Sequence, residues 1–273
     1  MMFQPILPLT GYVGWTFLQR TLDTQQETFA ASPRIERQTD HFRERIADIT
    51  TAEDLVKDRQ LLQVALGAFG LDEDLDNTFF IQKILSEGTE SRESLASRLS
   101  DDRYRRLSDA FGFGSSLGVR TGDPGFADRM VSQFERQQFE RAVGAQDNDM
   151  RSALNLGTGL SQIVEKTRTN DGRWFAIMGD PPVRAVMEKA LNLPGSLAQI
   201  DIDLQLEAFK TSAKKTFGTD QVADLQSDKT QEDLVRLFLV RSEAARVAQA
   251  NGATVALALV QAIPRKPLLS PGF

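Results

Sequence analysis

The sequence predicts an all-α, multihelical protein, and three observations carry that prediction. Apolar residues recur at intervals of three and four, polar capping residues and Gly mark the segment ends, and strand-like alternation is almost absent. Apolar residues make up 41% of the 273 positions and charged residues 26%, enough hydrophobic side chain to close a core without external staples. The expected architecture is two related helical halves packed as one elongated body. Residues 1–31 form a leader and first helix, 32–118 the first half, 119–250 the second half and 251–273 an apolar C-terminal tail.

After the Pro-containing leader, Trp15, Leu18, Leu22 and Phe29 mark one stripe of the first helix, interleaved with Gln19, Gln25 and Gln26. Ser32 is placed to cap a second helix, with Pro33 at its first position, where a missing amide hydrogen costs nothing. Thr51 with Asp54 approximates a capping box and leads through Leu55 into the apolar run Leu61, Leu62, Val64, Ala65, Leu66, Ala68 and Phe69, closed by Gly70. Further helices are expected near residues 76–87, 91–99 and 102–112.

The stretch from Gly112 through Gly118 to Pro124 is the most Gly-rich in the chain and reads as the linker between halves. A long helix from about residue 125 carries Met130, Phe134, Phe139 and Val143, and another follows Asn148. Gly157 and Gly159 weaken the middle of that second helix, since each Gly costs about 1 kcal/mol relative to Ala, and mark a kink or a close helix contact. Later helices are expected near 182–191, 201–216 and 229–250. The apolar tail Ala253 to Ile263 ends at Pro264, is too short to span a bilayer, and is expected to bury against the body.

The halves share a pattern. Asp58, Leu61, Val64, Ala68 and Leu71 recur as Asp180, Val183, Val186, Ala190 and Leu193, every pair 122 residues apart. This spacing favours two similar helical layers and an internal duplication.

Composition excludes several functions. The net charge is −6, the pI is near 5.1, and Lys and Arg are scattered among carboxylates, so no basic stripe exists for nucleic acid. The absence of cysteine removes disulfides, thiolate nucleophiles and cysteine-ligated zinc. No run reaches the length of a membrane span, and the N-terminus lacks the basic start and cleavage site of a secretory signal. The address expected is cytoplasmic, or export without a cleavable signal peptide.

No catalytic, cofactor-binding or metal-binding residue is predicted. His41 is the single histidine and lies among polar neighbours typical of a helix surface. Asp101, Asp102, Arg103, Tyr104, Arg105 and Arg106 form the densest polar cluster. Paired carboxylates serve acid–base chemistry when a pocket separates their pKa values, but a helix start explains these first, with Arg residues three and four positions on to pair with them. Gly67, Gly70, Gly112 and Gly114 lack the strand and the Lys-Ser/Thr pair of a phosphate loop, and Gly122-Asp123-Pro124-Gly125 is turn chemistry. Gly172-Arg173-Trp174-Phe175 offers an aromatic beside a cation, a ligand platform or simply core. The 17 Phe against 2 Trp and 2 Tyr favour packing over polar recognition.

Four stretches are familiar together. They are Ser32-Pro33-Arg34-Ile35 with Phe42; Thr51 through Leu62 leading to Ala68-Phe69-Gly70-Leu71; Ser94 through Leu99 with Asp102-Arg103-Tyr104 and Ala110-Phe111-Gly112-Phe113; and Ala190-Leu191-Asn192-Leu193-Pro194 followed by Asp201-Ile202-Asp203. Across most of residues 30–240 the chain resembles an uncharacterised alphaproteobacterial family, domain of unknown function 1217, often encoded among flagellar genes. The pattern departs near Leu239-Val240-Arg241-Ser242, where an Arg-Phe pair is expected. The resemblance implies a multihelical fold and a flagellum-linked role, and carries over no site residues. The function expected is a non-enzymatic structural or interaction protein of flagellar assembly with a protein partner. The alternatives are an export chaperone or regulator of flagellar proteins, and a helical enzyme using carboxylates such as Asp101 and Asp102 with a recruited cation.

Overall fold

Helix ends in this chain are set by groups that satisfy the backbone donors and acceptors a helix leaves unpaired. The computed structural model describes residues 3–99 and 101–262, with side chains as far as residue 249. Among the described residues it holds thirteen α-helices, four short 3-10 turns and no strand, the all-α class expected.

Two compact units divide the chain: Met1–Pro8 with Thr16–Asn148, and Leu9–Trp15 with Asp149–Phe273. Helix α1, Gly11–Ala30, gives its first residues to the second unit and the rest to the first. The first unit continues with α2 (Pro33–Arg45), α3 (Ala52–Lys57), α4 (Arg59–Ala68), α5 (Thr78–Glu87), α6 (Leu95–Arg98), α7 (Asp102–Phe111) and α8 (Phe126–Gly144).

The division therefore does not fall in the Gly-rich stretch, as expected, but about one long helix later. That stretch is tied into the first unit: buried Thr121 donates its hydroxyl to the Ile49 carbonyl (2.6 Å), and Glu90 accepts from the Ser116 amide (2.6 Å) and from the Ser115 and Ser116 hydroxyls. Phe126, at the start of α8, then sets its ring edge-on to Phe111 at 5.2 Å.

Ser32 occupies the N-cap position of α2 without capping it through its side chain. The residue is buried, and its hydroxyl donates back to the Phe29 carbonyl at 2.6 Å. Thr51 does cap α3, accepting from the Asp54 amide at 3.1 Å. The helix then breaks at Asp58, whose carboxylate accepts from the Gln60 and Leu61 amides and starts α4. Helix α4 is buried from Leu61 to Ala68 except for Gln63. It packs chiefly on α8 and next on α2.

The second unit holds α9 (Asn148–Lys166), α10 (Asn170–Gly179), α11 (Pro181–Ala190), α12 (Ile202–Phe217) and α13 (Asp228–Ala262). Helix α10 is absent from the sequence reading. Thr169 caps it by accepting from the Gly172 amide, and fully buried Trp174 anchors it. Helix α9 runs unbroken through its two glycines, which serve close contact: a methyl group at Gly159 would meet Val183 of α11 at 2.6 Å. Helices α11 and α13 form the main packing pair of this unit. Arg184 ties α11 to α12, bonding Glu188 of its own helix (2.7 Å) and Gln205 (2.8 Å) with its guanidinium over the Phe209 ring.

Helices α4 and α11 share more than the apolar pattern. Asp58 and Asp180 are both N-caps. At the other end, Gly70 and Asn192 both have positive φ, 69° and 56°. Each is followed by a residue whose amide bonds five residues back, Leu71 to Leu66 and Leu193 to Glu188, the six-to-one bond of a Schellman ending. All of these pairs keep the 122-residue offset.

Two helices of the first unit come close at Gly67 of α4, where a methyl group would meet the Phe134 ring of α8 at 2.7 Å. Gly67→Ala is expected to lower the unfolding free energy by about 1–3 kcal/mol, overpacking outweighing the gain in helix propensity. Urea unfolding of the variant measures this, and an unchanged midpoint would mean that α8 shifts freely to make room.

Candidate functional site

Residue types that could do chemistry are mostly committed to bracing the fold. His41 on α2 lies 2.9 Å from the Asp58 carboxylate that caps α4. Burial pushes the Asp58 carboxyl up, but the His41 hydrogen bond and the Leu61 and Gln60 amides outweigh it, so the group lies below the usual carboxylate range.

Asp101 caps α7 by accepting from the Arg103 amide, and its two oxygens take the Arg103 guanidinium in a fork, with Nη2 at 2.7 Å. That pairing holds the Asp101 carboxyl below its ordinary value. Arg103 also donates to the Gly70 carbonyl, so the α7 start is tied to the α4 end. Asp102 pairs with Arg106 and Arg105 with Asp109, each one helical turn apart. Tyr104 donates to Asp74 at 2.7 Å, and burial together with that carboxylate pushes its phenol up to about 12.

Of the Arg173-Trp174-Phe175 cluster only Trp174 is core, and Phe175 is exposed. The Trp174 indole donates to the Asp220 carbonyl (2.8 Å) and packs on Phe209, while Arg173 donates to the Thr167 and Val164 carbonyls at the end of α9. On α1, Gln25 is 5% exposed and turned inward. Its side-chain amide pairs with the leader backbone at Ile6, accepting from the amide (2.7 Å) and donating to the carbonyl (3.3 Å). Trp15 is buried, whereas Phe17 stays 36% exposed.

Two features have groups to spare. The first is a cleft of ≈ 430 Å³ in the first unit, between α1, α2, α4, α8 and the 3-10 turn Asp72–Asp74. Phe29, Ile35, Leu66 and Leu75 supply apolar lining, with Ala142 and Ala145 at its α8 side. Asp72 is its only lining carboxylate. The carboxylate accepts from Gln138 at 2.7 Å and pairs with Arg141 at 2.9 Å. Arg34, Gln38 and Gln63 also line it, and among the described residues their side chains have no hydrogen-bond or ionic partner. Residues from five elements far apart in sequence make this cleft, so no local motif announces it.

The second is α13. Among the described side chains its last buried one is Ser242, and from Ala244 to Gln249 every side chain is exposed over more than a full turn of helix, with Arg246 paired to Asp149 of α9 and to Glu243. The backbone stays helical to Ala262, so the tail expected to stand apart from residue 251 is largely the same helix. The expected burial of the tail side chains concerns positions outside the described residues. Among the described residues no group of three His, Asp or Glu is arranged to hold a metal ion, and no helix is long and apolar enough to cross a membrane.

A family model described as "Protein of unknown function (DUF1217)" matches residues 68–231. The fold is similar to the crystal structure of a protein from Agrobacterium tumefaciens solved as a structural-genomics target, with a TM-score of 0.68 and 23% identity, over 88% of this chain and 98% of that one. At that identity the likeness is one of fold. No curated protein matches.

Because Asp58 and Asp101 ionise more readily when folded, their stabilisation is complete above the unfolded carboxyl pKa of about 4 and is lost as pH falls through the lower folded values. The double variant Asp58→Asn/Asp101→Asn is expected to show a shallower fall in stability between about pH 5 and pH 2 than the parent. Urea midpoints across that range test it, and parallel curves would exclude both groups as the source.

Proposed function

We propose, starting from the fact that this chain belongs to the DUF1217 family of proteins of unknown function, that it is a non-enzymatic interaction protein of bacterial flagellar assembly. The flagellar part of this reading comes from the family resemblance. The interaction part is supported by one observation: α13 runs as helix to Ala262, and its side chains from Ala244 to Gln249 are all exposed.

Exposed turns of a helix gain little from tertiary packing, which supplies most helical stability in proteins. Here the exposed turns lead into Ala253-Thr254-Val255-Ala256-Leu257-Ala258-Leu259-Val260, which is apolar around nearly the whole helix. Such a helix needs burial on all sides. A partner that encloses it, as a groove or a helix bundle would, provides burial of that kind. The matching caps of α4 and α11 also support the proposal that the two units descend from one duplicated helical layer.

The test compares the full chain with a chain ending at Gln249, each tagged and recovered from motile cells. The full chain is expected to retain rod, hook or export-apparatus proteins and the shortened chain to lose them, with melting temperatures within about 2 °C because no described core contact is removed. Fractionation then separates an assembled component, found in basal bodies, from an export chaperone confined to the cytoplasm. Equal recovery by both chains would remove α13 as the binding element, and normal swimming of a deletion strain would end the flagellar reading.

A further inference from the structure

The cleft in the first unit has an unusual electrical arrangement for a chain of net charge −6. Two guanidiniums line it, against one carboxylate. Asp72 is already matched by Arg141 and Gln138 through the same oxygen, Oδ1. That leaves Arg34, exposed at the first turn of α2, as a cation without a counter-ion among the described residues. Guanidinium is a planar fork of donors that cannot be deprotonated in a protein, and its best partner is a carboxylate held by two parallel hydrogen bonds.

The surroundings define what must carry that carboxylate. Gln38 lies four residues after Arg34 on α2, and Gln63 faces the cleft from α4. Both side-chain amides are only partly exposed and have no partner among the described residues, so each offers donors and an acceptor. Between them the lining is aliphatic and aromatic, from Phe29, Ile35, Leu66 and Leu75. A volume of ≈ 430 Å³ lies within the usual range for small-ligand sites of about 300–1,000 Å³, which are mostly apolar with a few placed polar groups.

We infer that this cleft binds a carboxylate carried on an apolar body, with Arg34 as its counter-ion and the Gln38 and Gln63 amides flanking it. Asp72 is held back from repelling such a ligand because Arg141 and Gln138 already engage it. The same chemistry is found in a free organic acid and in a peptide chain ending in an apolar residue. The site is independent of α13 and of the flagellar reading.

The probes are 3-phenylpropionate and acetyl-Leu-Phe as free acids, each beside its uncharged amide, titrated into the full chain and followed by NMR of the glutamine side-chain amides. The acids are expected to bind at least about tenfold more tightly than the amides, with the difference shrinking as salt is raised. Arg34→Gln should weaken the acids about tenfold and leave the amides unchanged, while Arg34→Lys restores part of the loss. Arg34 is exposed, so an unchanged melting temperature verifies that the variants are folded. Tighter binding of the peptide acid identifies a chain end as the ligand source, and tighter binding of 3-phenylpropionate identifies a free acid. Equal affinity for acid and amide, no effect of Arg34→Gln, or no binding of either acid would overturn the inference.

Discussion

Much of the first unit depends on the closeness of α4 and α8 at Gly67. With no side chain there, the Phe134 ring lies directly over the α4 backbone, and α4 is enclosed on nearly all sides. Close packing of this kind forfeits dispersion energy with even a small gap, so the helix positions are strongly coupled. The same approach puts Gln138, one turn after Phe134, within reach of Asp72. Asp72 in turn follows the Gly70 ending of α4, whose positive φ diverts the chain away from the helix axis. A packing requirement thus sets the polar wall of the cleft as well as the core beneath it.

The second unit meets a similar requirement differently. Its glycine sits in α9 instead of the central helix, and lets Val183 of α11 approach. Its interior also holds a partly buried ionic group, Arg184 with Glu188 and Gln205. Such groups add little net stability because desolvation offsets attraction, but breaking one strands the other. Helix α4 has apolar Leu62 at the position 122 residues before Arg184. The likeness of the two helices is therefore strongest in their caps and endings, where backbone satisfaction dictates the residue, and weaker along their sides, where each unit has its own neighbours.

Legibility followed the range of the interaction. Caps at Thr51, Asp58, Asp101 and Asp180 bond within three residues, so spacing alone reveals them. Helix α10 was hidden because Asn170-Asp171-Gly172 has the composition of a turn, and only the burial of Trp174 against Phe209 makes a helix of it. The Gly-rich stretch read as a linker because its fastenings, Thr121 to Ile49 and Glu90 to Ser116, join residues distant in sequence. The cleft was illegible for the same reason. Arg34, Gln38 and Gln63 look like any solvated helix residues until α1, α4 and α8 close around them.

The distribution of satisfied groups says more about function than the inventory of reactive ones. The histidine is spent on a cap, the densest carboxylate cluster on its own arginines, and the buried indole on a backbone carbonyl. Hydrogen-bond partners hold the Asp58 and Asp101 carboxyls below the usual range. What the fold leaves unmatched is of another kind: one guanidinium with two amides over an apolar floor, and the exposed turns of α13 from Ala244 to Gln249. Both offer contact surface, and binding is the role proposed for each.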